Sequence, residues 1–143
     1  MHYSIVSSSP AQTKKIAKLL AKELKGNEVI CLTGDLGGGK TTFVQGLALG
    51  LGIKEKITSP SFVLIRRYKT PAISYFYHID CYRLKNPQEI LDLGFEEILS
   101  RKNTIVVIEW ADRIKKILPK KRLNIKFEYL GKNKRKISFS SQR

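Results

Sequence analysis

The chain has 143 residues, of which 42% are hydrophobic and 27% are charged, a balance that is typical of one globular domain and excludes a disordered or fibrous chain. Its 27 lysines and arginines outnumber 12 acidic residues and give a formal net charge of +15, which suits phosphate-rich or nucleic-acid partners or a lysine-rich solvated surface. There is no signal-peptide pattern and no apolar run of about 18 residues, so the sequence predicts a cytoplasmic protein without a membrane span.

The first third of the chain predicts strands that alternate with helices. A short N-terminal strand precedes a helix that is capped by Ser9, begins at Pro10 and ends at Gly26. The apolar run 29–32 predicts a buried strand, and a second helix is expected from Lys40 to about residue 51. Strand and helix therefore alternate as they do in α/β proteins.

The middle of the chain predicts a hairpin and short helices. Two β-rich segments, 62–68 and 73–82, flank a turn sequence and predict an antiparallel hairpin. Residues 87–100 predict one or two short helices with a break near Gly94.

The last third of the chain predicts further strands. Residues 104–108 form a continuous apolar run that suits the interior of a sheet. A helix is expected at 110–118. The alternating segments 123–129 and 136–140 then predict a second hairpin, which we expect at a sheet edge.

A glycine-rich loop joins the strand at 29–32 to the next helix. Residues 34–41 read Gly-Asp-Leu-Gly-Gly-Gly-Lys-Thr and fit the pattern G-x-x-x-x-G-K-[ST]. The glycines allow backbone N–H groups to turn toward an anion, and the helix N-terminus adds partial positive charge. This arrangement predicts a nucleoside triphosphate site in which Lys40 reaches the outer phosphates and Thr41 offers its hydroxyl to magnesium. A glycine-rich turn without a ligand is the alternative.

The order of these elements predicts the fold class. We expect a single α/β domain over residues 1–143, of the P-loop NTPase type, with a mixed central sheet flanked by helices. Early alternation supplies a parallel core, and the later strand pairs supply antiparallel hairpins. Cys31 and Cys81 each lie in an apolar run, which favours packed free thiols over a disulfide or a metal site.

Two acidic residues follow predicted strands, where a magnesium-nucleotide site needs them. Glu109 follows an apolar strand, as an acidic residue does in the second sequence motif of ATPases that carry this glycine loop. It is either a magnesium ligand or a helix-capping acid. Asp80 is a candidate for the metal shell or for positioning the attacking water, with an ion pair to Arg83 as the alternative. His78 alternates with Asp80 and shares its face, although a purely structural histidine is equally open.

Other polar residues leave two interpretations open. The loop at 58–61 either senses the outer phosphate or forms a capping turn. Trp110 packs near the nucleotide or in the core. Arg66, Arg67 and Arg83 are candidates for clamping phosphate or a partner's acidic groups. Alternatively, Arg66 and Arg67 are one exposed and one paired residue of a strand.

Taken together, these segments resemble the bacterial TsaE family over about residues 5–138. The segments that carry the resemblance are 34–42, 58–62, 78–84 and 109–110. The resemblance implies a P-loop ATPase of tRNA threonylcarbamoyladenosine biosynthesis that binds ATP with magnesium and hydrolyses it weakly alone. It further implies that the protein acts with the TsaB–TsaD pair, which transfers threonylcarbamoyl to an adenosine beside the anticodon, and that its contact with tRNA is indirect.

By matching position, the resemblance also implies roles for individual residues. The catalytic residues are Lys40, Asp80 and Glu109. Magnesium is held by Thr41 and Glu109, and residues 58–62 form a switch-like loop. The nucleotide contacts are Ser9, Leu36, Gly37, Gly38, Gly39, Lys40, Thr41, Thr42 and Asn133. Gln12 stands where the family commonly has an acid, which bears on the contacts at the base.

Two other classes of function fit parts of the sequence. A small-molecule kinase uses the same phosphate-binding loop, although 143 residues leave little room for an acceptor-binding lid. A basic RNA-binding module fits the net charge, but no recognised RNA-binding motif accompanies it.

Overall fold

The computed structural model describes residues 2–35, 39–58 and 64–142 of the chain. Within these residues, a seven-stranded sheet carries helices on both faces. The strands are β1 (His2–Ser7), β2 (Val29–Gly34), β3 (Ile65–Lys69), β4 (Tyr75–Asp80), β5 (Thr104–Glu109), β6 (Arg122–Gly131) and β7 (Lys134–Gln142). The helices are α1 (Pro10–Ala21), α2 (Lys40–Gly50), α3 (Gln88–Leu91), α4 (Phe95–Ser100) and a 3₁₀ helix at Ala111–Ile117.

Parallel pairing forms the centre of the sheet, whose order is β1-β7-β6-β2-β5-β4-β3. Strand β2 pairs in parallel with β5 and β6, and β4 pairs in parallel with β5. The hairpins β3–β4 and β6–β7 are antiparallel, as is the pair β1–β7. The predicted mixed sheet with a parallel core is confirmed, and its parallel strands bring their carboxyl ends to one edge.

Two hydrophobic cores attach the helices to the sheet. On one face, α1 and α2 pack over β2, β5 and β6 through fully buried side chains such as Phe43 and Phe127. On the other face, the remaining helices cover β2, β4 and β5 around Phe95 and Ile114. The strands shared by both cores are thus buried on both sides, which explains their continuous apolar sequences.

Glycines let α1 and α2 pack closely side by side. A Cβ on Gly46 would lie 2.6 Å from the carbonyl oxygen of Lys14, and a Cβ on Gly50 would lie 2.6 Å from Ala21 Cβ. Larger side chains at these two positions would push the helices apart. Since the contacts advance in the same direction along both helices, α1 and α2 run parallel and their N-termini lie at the same end of the sheet.

The first helix is shorter than the sequence predicts, since α1 ends at Ala21 and not at Gly26. The Glu28 carboxylate accepts the backbone N–H groups of Lys25 at 2.8 Å, Gly26 at 2.8 Å and Asn27 at 3.1 Å. These groups therefore bond to a side chain and do not extend the helix. Burial raises the pKa of Glu28, but the backbone hydrogen bonds outweigh it, and the pKa lies below its ordinary value of 4.5.

The second hairpin is confirmed, but its expected place at a sheet edge is wrong. Strand β1 pairs along the outer side of β7, from His2 opposite Ser140 to Ser7 opposite Arg135. On its other side, the hairpin joins the centre of the sheet through β6 and β2. Alternation predicts a strand from local sequence, whereas the position of that strand depends on long-range pairing.

Other local predictions are confirmed. The first hairpin forms, and Gly94, with φ of +86°, separates α3 from α4. Cys31 and Cys81 are free and buried, and burial is the main cause that raises the pKa of each thiol to about 12. The predicted helix after β5 is a 3₁₀ helix. None of the described helices is long and apolar enough to cross a membrane.

Candidate nucleotide-binding site

The site begins where β2 ends and α2 starts. Gly34 has φ of +123°, and a Cβ at this position would lie 2.1 Å from the carbonyl oxygen of Phe127 on β6. Gly39 has φ of +94° and immediately precedes α2. Both positions require a residue without a Cβ, so glycine brings the loop against the sheet and opens the helix N-terminus. Leu36, Gly37 and Gly38 lie outside the described residues.

Lys40 is the first residue of α2 and is only 5% exposed. Its Nζ donates hydrogen bonds to the carbonyl oxygens of Gly34 at 3.1 Å and Asp35 at 2.6 Å. The same ammonium lies 4.2 Å from the ring centroid of Trp110. Burial lowers the pKa of Lys40, although nearby carboxylates, Glu109 foremost, oppose that shift.

Thr41 and Glu109 meet beside this lysine. The Thr41 hydroxyl donates to Glu109 Oε1 at 3.1 Å and lies 3.4 Å from Oε2. Glu109, at the end of β5, is 3% exposed, and its Oε2 lies 2.5 Å from Nε2 of the fully buried His78. The carboxylate therefore joins Thr41 to His78 and does not cap the following helix, whose N-cap position is Trp110.

Asp80 lies at the end of β4, directly opposite Glu109 in the parallel register. It is partly exposed and its Oδ1 accepts the backbone N–H of Tyr82 at 3.0 Å. His78 and Asp80 are two residues apart on one strand and share the face on which α2 packs. The predicted shared face of His78 and Asp80 agrees with this alternation along β4.

A cavity of about 360 Å³ opens over these residues. Eight of the predicted site residues line this cavity: Ser9, Gly39, Lys40, Thr41, Thr42, Asp80, Glu109 and Asn133. Ser9 caps α1 by accepting the N–H of Gln12 at 3.0 Å, and Asn133 lies in the β6–β7 turn with φ of +63°. The parallel N-termini of α1 and α2 and the hairpin turn thus surround one cavity.

Further lining residues escaped the sequence prediction: Pro10, Thr13, Tyr82 and Arg135. Thr13 is one helical turn after Ser9, and that spacing is the signal that identifies it. The ring of Tyr82 is tilted by 45° against that of Trp110, with the ring centroids 5.0 Å apart. Trp110 itself is half-buried, and it both lines the cavity and packs against the core around Phe95 and Ile114, so the two placements that the sequence left open are combined.

Arg135 extends from β7 toward the glycine loop, although β7 is remote from that loop in sequence. A Cβ on Gly39 would lie 3.9 Å from Arg135 Cγ, and the guanidinium lies over the ring of Tyr129 at 4.6 Å. Only the pairing of β6 with β2 brings this arginine to the site, so no local pattern identifies it.

Some predicted residues are not at the cavity. Of the predicted switch-like loop, residues 59–62 lie outside the described residues and Thr58 is exposed. Arg66 and Arg67 are both exposed on β3, and Arg67 lies 4.3 Å from the ring centroid of Tyr75. In the described part of the chain, neither arginine lines the cavity.

The oxygen atoms of the site suit magnesium with a phosphate ligand. Across residues 2–35, 39–58 and 64–142, no three His, Cys, Asp or Glu side chains are grouped to hold a metal by themselves. Magnesium commonly takes one or two protein oxygens and completes its shell with water and phosphate. The Thr41 hydroxyl and the Glu109 carboxylate at the start of α2 match that pattern.

The fold and the site define the class: an α/β protein of the P-loop type, with a glycine loop between a central strand and a helix. A sequence model described as "Threonylcarbamoyl adenosine biosynthesis protein TsaE" matches residues 7–137. The chain therefore belongs to the TsaE family, as the sequence motifs predict.

Relatives and a solved structure agree with this assignment. A Rickettsia felis protein is 42% identical over 132 residues, covering 92% of this chain and 75% of that protein. A Bacillus subtilis protein is 41% identical over 133 residues, covering 93% and 82%. Both are named "tRNA threonylcarbamoyladenosine biosynthesis protein TsaE". The crystal structure of Bacillus subtilis YdiB has a TM-score of 0.82 and 36% identity, covering 100% of this chain and 87% of that chain.

Proposed function

We propose that this chain is a magnesium-dependent ATPase that acts in tRNA threonylcarbamoyladenosine biosynthesis. The observation that carries the proposal is the meeting of Thr41 and Glu109, 3.1 Å apart, beside Lys40 at the N-terminus of α2. These groups lie in the cavity that the glycine loop borders. Membership of the TsaE family supports the biological process.

The phosphates of ATP bind at the start of α2 in this proposal. Gly39, Thr42 and the loop residues Leu36, Gly37 and Gly38 supply backbone N–H groups, and Lys40 supplies a cation. Lys40 exchanges its bonds to the carbonyls of Gly34 and Asp35 for phosphate oxygens. That exchange is favourable because a carbonyl carries only a partial charge, whereas a phosphate oxygen carries a full negative charge.

Magnesium is held by Thr41 and Glu109, and when bound it neutralises charge on the phosphates. Asp80 is partly exposed and borders the cavity next to Glu109. We assign to it the orientation of the attacking water and the acceptance of its proton. Ser9 and Asn133, at the N-terminus of α1 and the β6–β7 turn, border the ribose and base.

The proposed partners are the TsaB and TsaD proteins, with indirect contact to tRNA. The family resemblance supports this assignment, and it implies that hydrolysis is weak in the isolated chain and stronger in the complex. The net charge of +15 is compatible with an acidic partner surface and with the proximity of tRNA. The cytoplasm is the proposed compartment.

Phosphate release from MgATP tests the function directly. The wild-type chain, Lys40→Ala and Lys102→Ala are assayed alone, with the TsaB–TsaD pair, and with the pair plus tRNA. Lys102 is exposed beside the start of β5, at the far end of that strand from Glu109. Lys102→Ala also removes one lysine, so it is the matched control. We expect stimulation by the partners in wild type and Lys102→Ala but not in Lys40→Ala.

Two results would contradict the proposal. If the partners stimulate hydrolysis in Lys40→Ala as strongly as in wild type, the phosphates of ATP do not bind at the start of α2. Efficient phosphoryl transfer to added nucleosides, in place of phosphate release, would identify a small-molecule kinase instead.

A further inference from the structure

His78 is a buried polar residue with a defined partner beside the proposed magnesium site. It is fully buried on β4, and its Nε2 lies 2.5 Å from Glu109 Oε2. Its Nδ1 is also buried and has no hydrogen-bond partner among the described residues. A buried N–H without an acceptor is costly, whereas a bare ring nitrogen is less so. The ring proton is therefore assigned to Nε2, from which it donates to Glu109.

This hydrogen bond distinguishes the two oxygens of the Glu109 carboxylate. His78 engages Oε2, and the Thr41 hydroxyl is nearer to Oε1, at 3.1 Å against 3.4 Å. The carboxylate is thereby held on both sides, from β4 and from α2. A carboxylate on one freely rotating side chain would present either oxygen, whereas this one presents Oε1 toward Thr41.

Packing alone does not call for histidine here. Residue 78 pairs with Val107 on β5 and follows Phe76 on the same face of β4, and both are fully buried and apolar, whereas its partner on β3, Arg66, is exposed. An apolar side chain would satisfy such surroundings. It would also leave the buried Oε2 of Glu109 without this partner, which is unfavourable. A histidine at this position is therefore explained by its hydrogen bond to Glu109.

We propose that His78 is a positioning residue of the ATPase site described above: its Nε2–H fixes one oxygen of Glu109 so that the other faces Thr41 and magnesium. The inference rests on the proposed function. Residues that orient a metal's ligands commonly change metal affinity about 10–100-fold when they are replaced. The effect of replacing His78 should therefore appear in the magnesium dependence and not in nucleotide binding without metal.

Two amide variants separate the ring nitrogens. The amide nitrogen of glutamine is as many bonds from Cα as Nε2 of histidine, whereas that of asparagine corresponds to Nδ1. His78→Gln keeps a donor near Glu109 Oε2, and His78→Asn does not reach it. The pair thus compares the same functional group at two positions, and thermal unfolding monitored by circular dichroism shows whether each variant folds.

The first measurement needs neither nucleotide nor metal. ¹⁵N NMR of the imidazole in EDTA reports which ring nitrogen carries the proton, and the chain has only two histidines, so His2→Gln leaves the His78 signals alone. We expect the proton on Nε2 and a clear shift of its resonance in Glu109→Gln. A proton on Nδ1, or a spectrum insensitive to Glu109→Gln, would overturn the proposal even if neither His78 variant folds.

The second measurement is calorimetric titration with ATP, in EDTA and in MgCl₂, together with the MgCl₂ concentration for half-maximal phosphate release. We expect the ATP affinity of His78→Asn in EDTA to lie within about twofold of wild type. The MgCl₂ concentration for half-maximal phosphate release should rise by about tenfold or more. His78→Gln should stay within about threefold of wild type in both. Wild-type behaviour of His78→Asn, or an equal loss in EDTA and MgCl₂, would overturn the role of His78 alone. If wild type gains nothing from magnesium, the proposed function fails, and the role of His78 fails with it.

Discussion

Asp80 and Glu109 are partners in the parallel register of β4 and β5, so their side chains leave neighbouring strands at the same height. Their surroundings differ. Glu109 is 3% exposed and bonded to Thr41 and His78, whereas Asp80 is partly exposed at the cavity. Two carboxylates with such different access to water suit different tasks, one as a fixed ligand and one as a base for water.

The two carboxylates are expected to affect catalysis more than nucleotide binding. Asp80→Asn should lower kcat by about 10²–10⁴-fold while ATP affinity changes little, because it removes a proton acceptor without removing a phosphate contact. Glu109→Gln should lower kcat and also raise the magnesium concentration required. Steady-state hydrolysis in the presence of partners, beside calorimetric ATP binding, measures both. Equal losses of affinity and of turnover in Asp80→Asn would refute this division.

The contact between Gly34 and Phe127 predicts a large cost for a small substitution. Gly34→Ala places a Cβ 2.1 Å from the Phe127 carbonyl oxygen at φ of +123°. Gly131→Ala is the matched control, because φ is +139° there but no atom lies within 4 Å of the added Cβ. The control should lose about 1–3 kcal/mol of unfolding free energy from backbone strain, and Gly34→Ala about 1–3 kcal/mol more from overlap. Urea unfolding gives both values, and equal losses would contradict the predicted overlap.

The Glu28 carboxylate predicts a pH-dependent contribution to stability. Its pKa in the folded protein lies below the ordinary value of 4.5, so its stabilisation is complete above the unfolded pKa and is lost as the pH falls through the folded value. Glu28→Gln should therefore destabilise the protein at pH 7 by about 1 kcal/mol, a figure reduced by partial solvent exposure. Wild type and variant should converge as the pH falls below the pKa of Glu28 in the folded protein. Urea unfolding at several pH values tests this, and exposed Glu23→Gln is the control.

The two cysteines are predicted to be unreactive in the folded protein. Burial is the first cause that raises the pKa of both Cys31 and Cys81 to about 12, and thiolates are the reactive form. A thiol reagent at pH 8 should modify almost no thiol in native protein and both after denaturation in guanidinium. Cys31→Ala and Cys81→Ala identify which residue reacts. Rapid labelling of native protein would show that the cores around these residues open readily.

Local sequence predicts most of the elements and part of the site. The glycine loop, the following Lys40 and Thr41, and the carboxylates after two apolar strands are recognisable because each depends on neighbours within a few residues. The end of α1 was predicted too late because Glu28 competes for backbone N–H groups. Such competition depends on the precise direction of one side chain, which periodicity does not contain.

The glycine-rich loop, its flanking strand and helix, and the family were determined by the sequence itself, since their signals are short-range and specific. Tertiary structure decided which distant residues share the site. The outer position of β1, the approach of Arg135 to Gly39, and the bond from His78 to Glu109 all follow from strand order and register. Backbone hydrogen bonds between strands can form in many strand orders, and packing of the two cores selects one of them. These contacts therefore exist only in the complete fold.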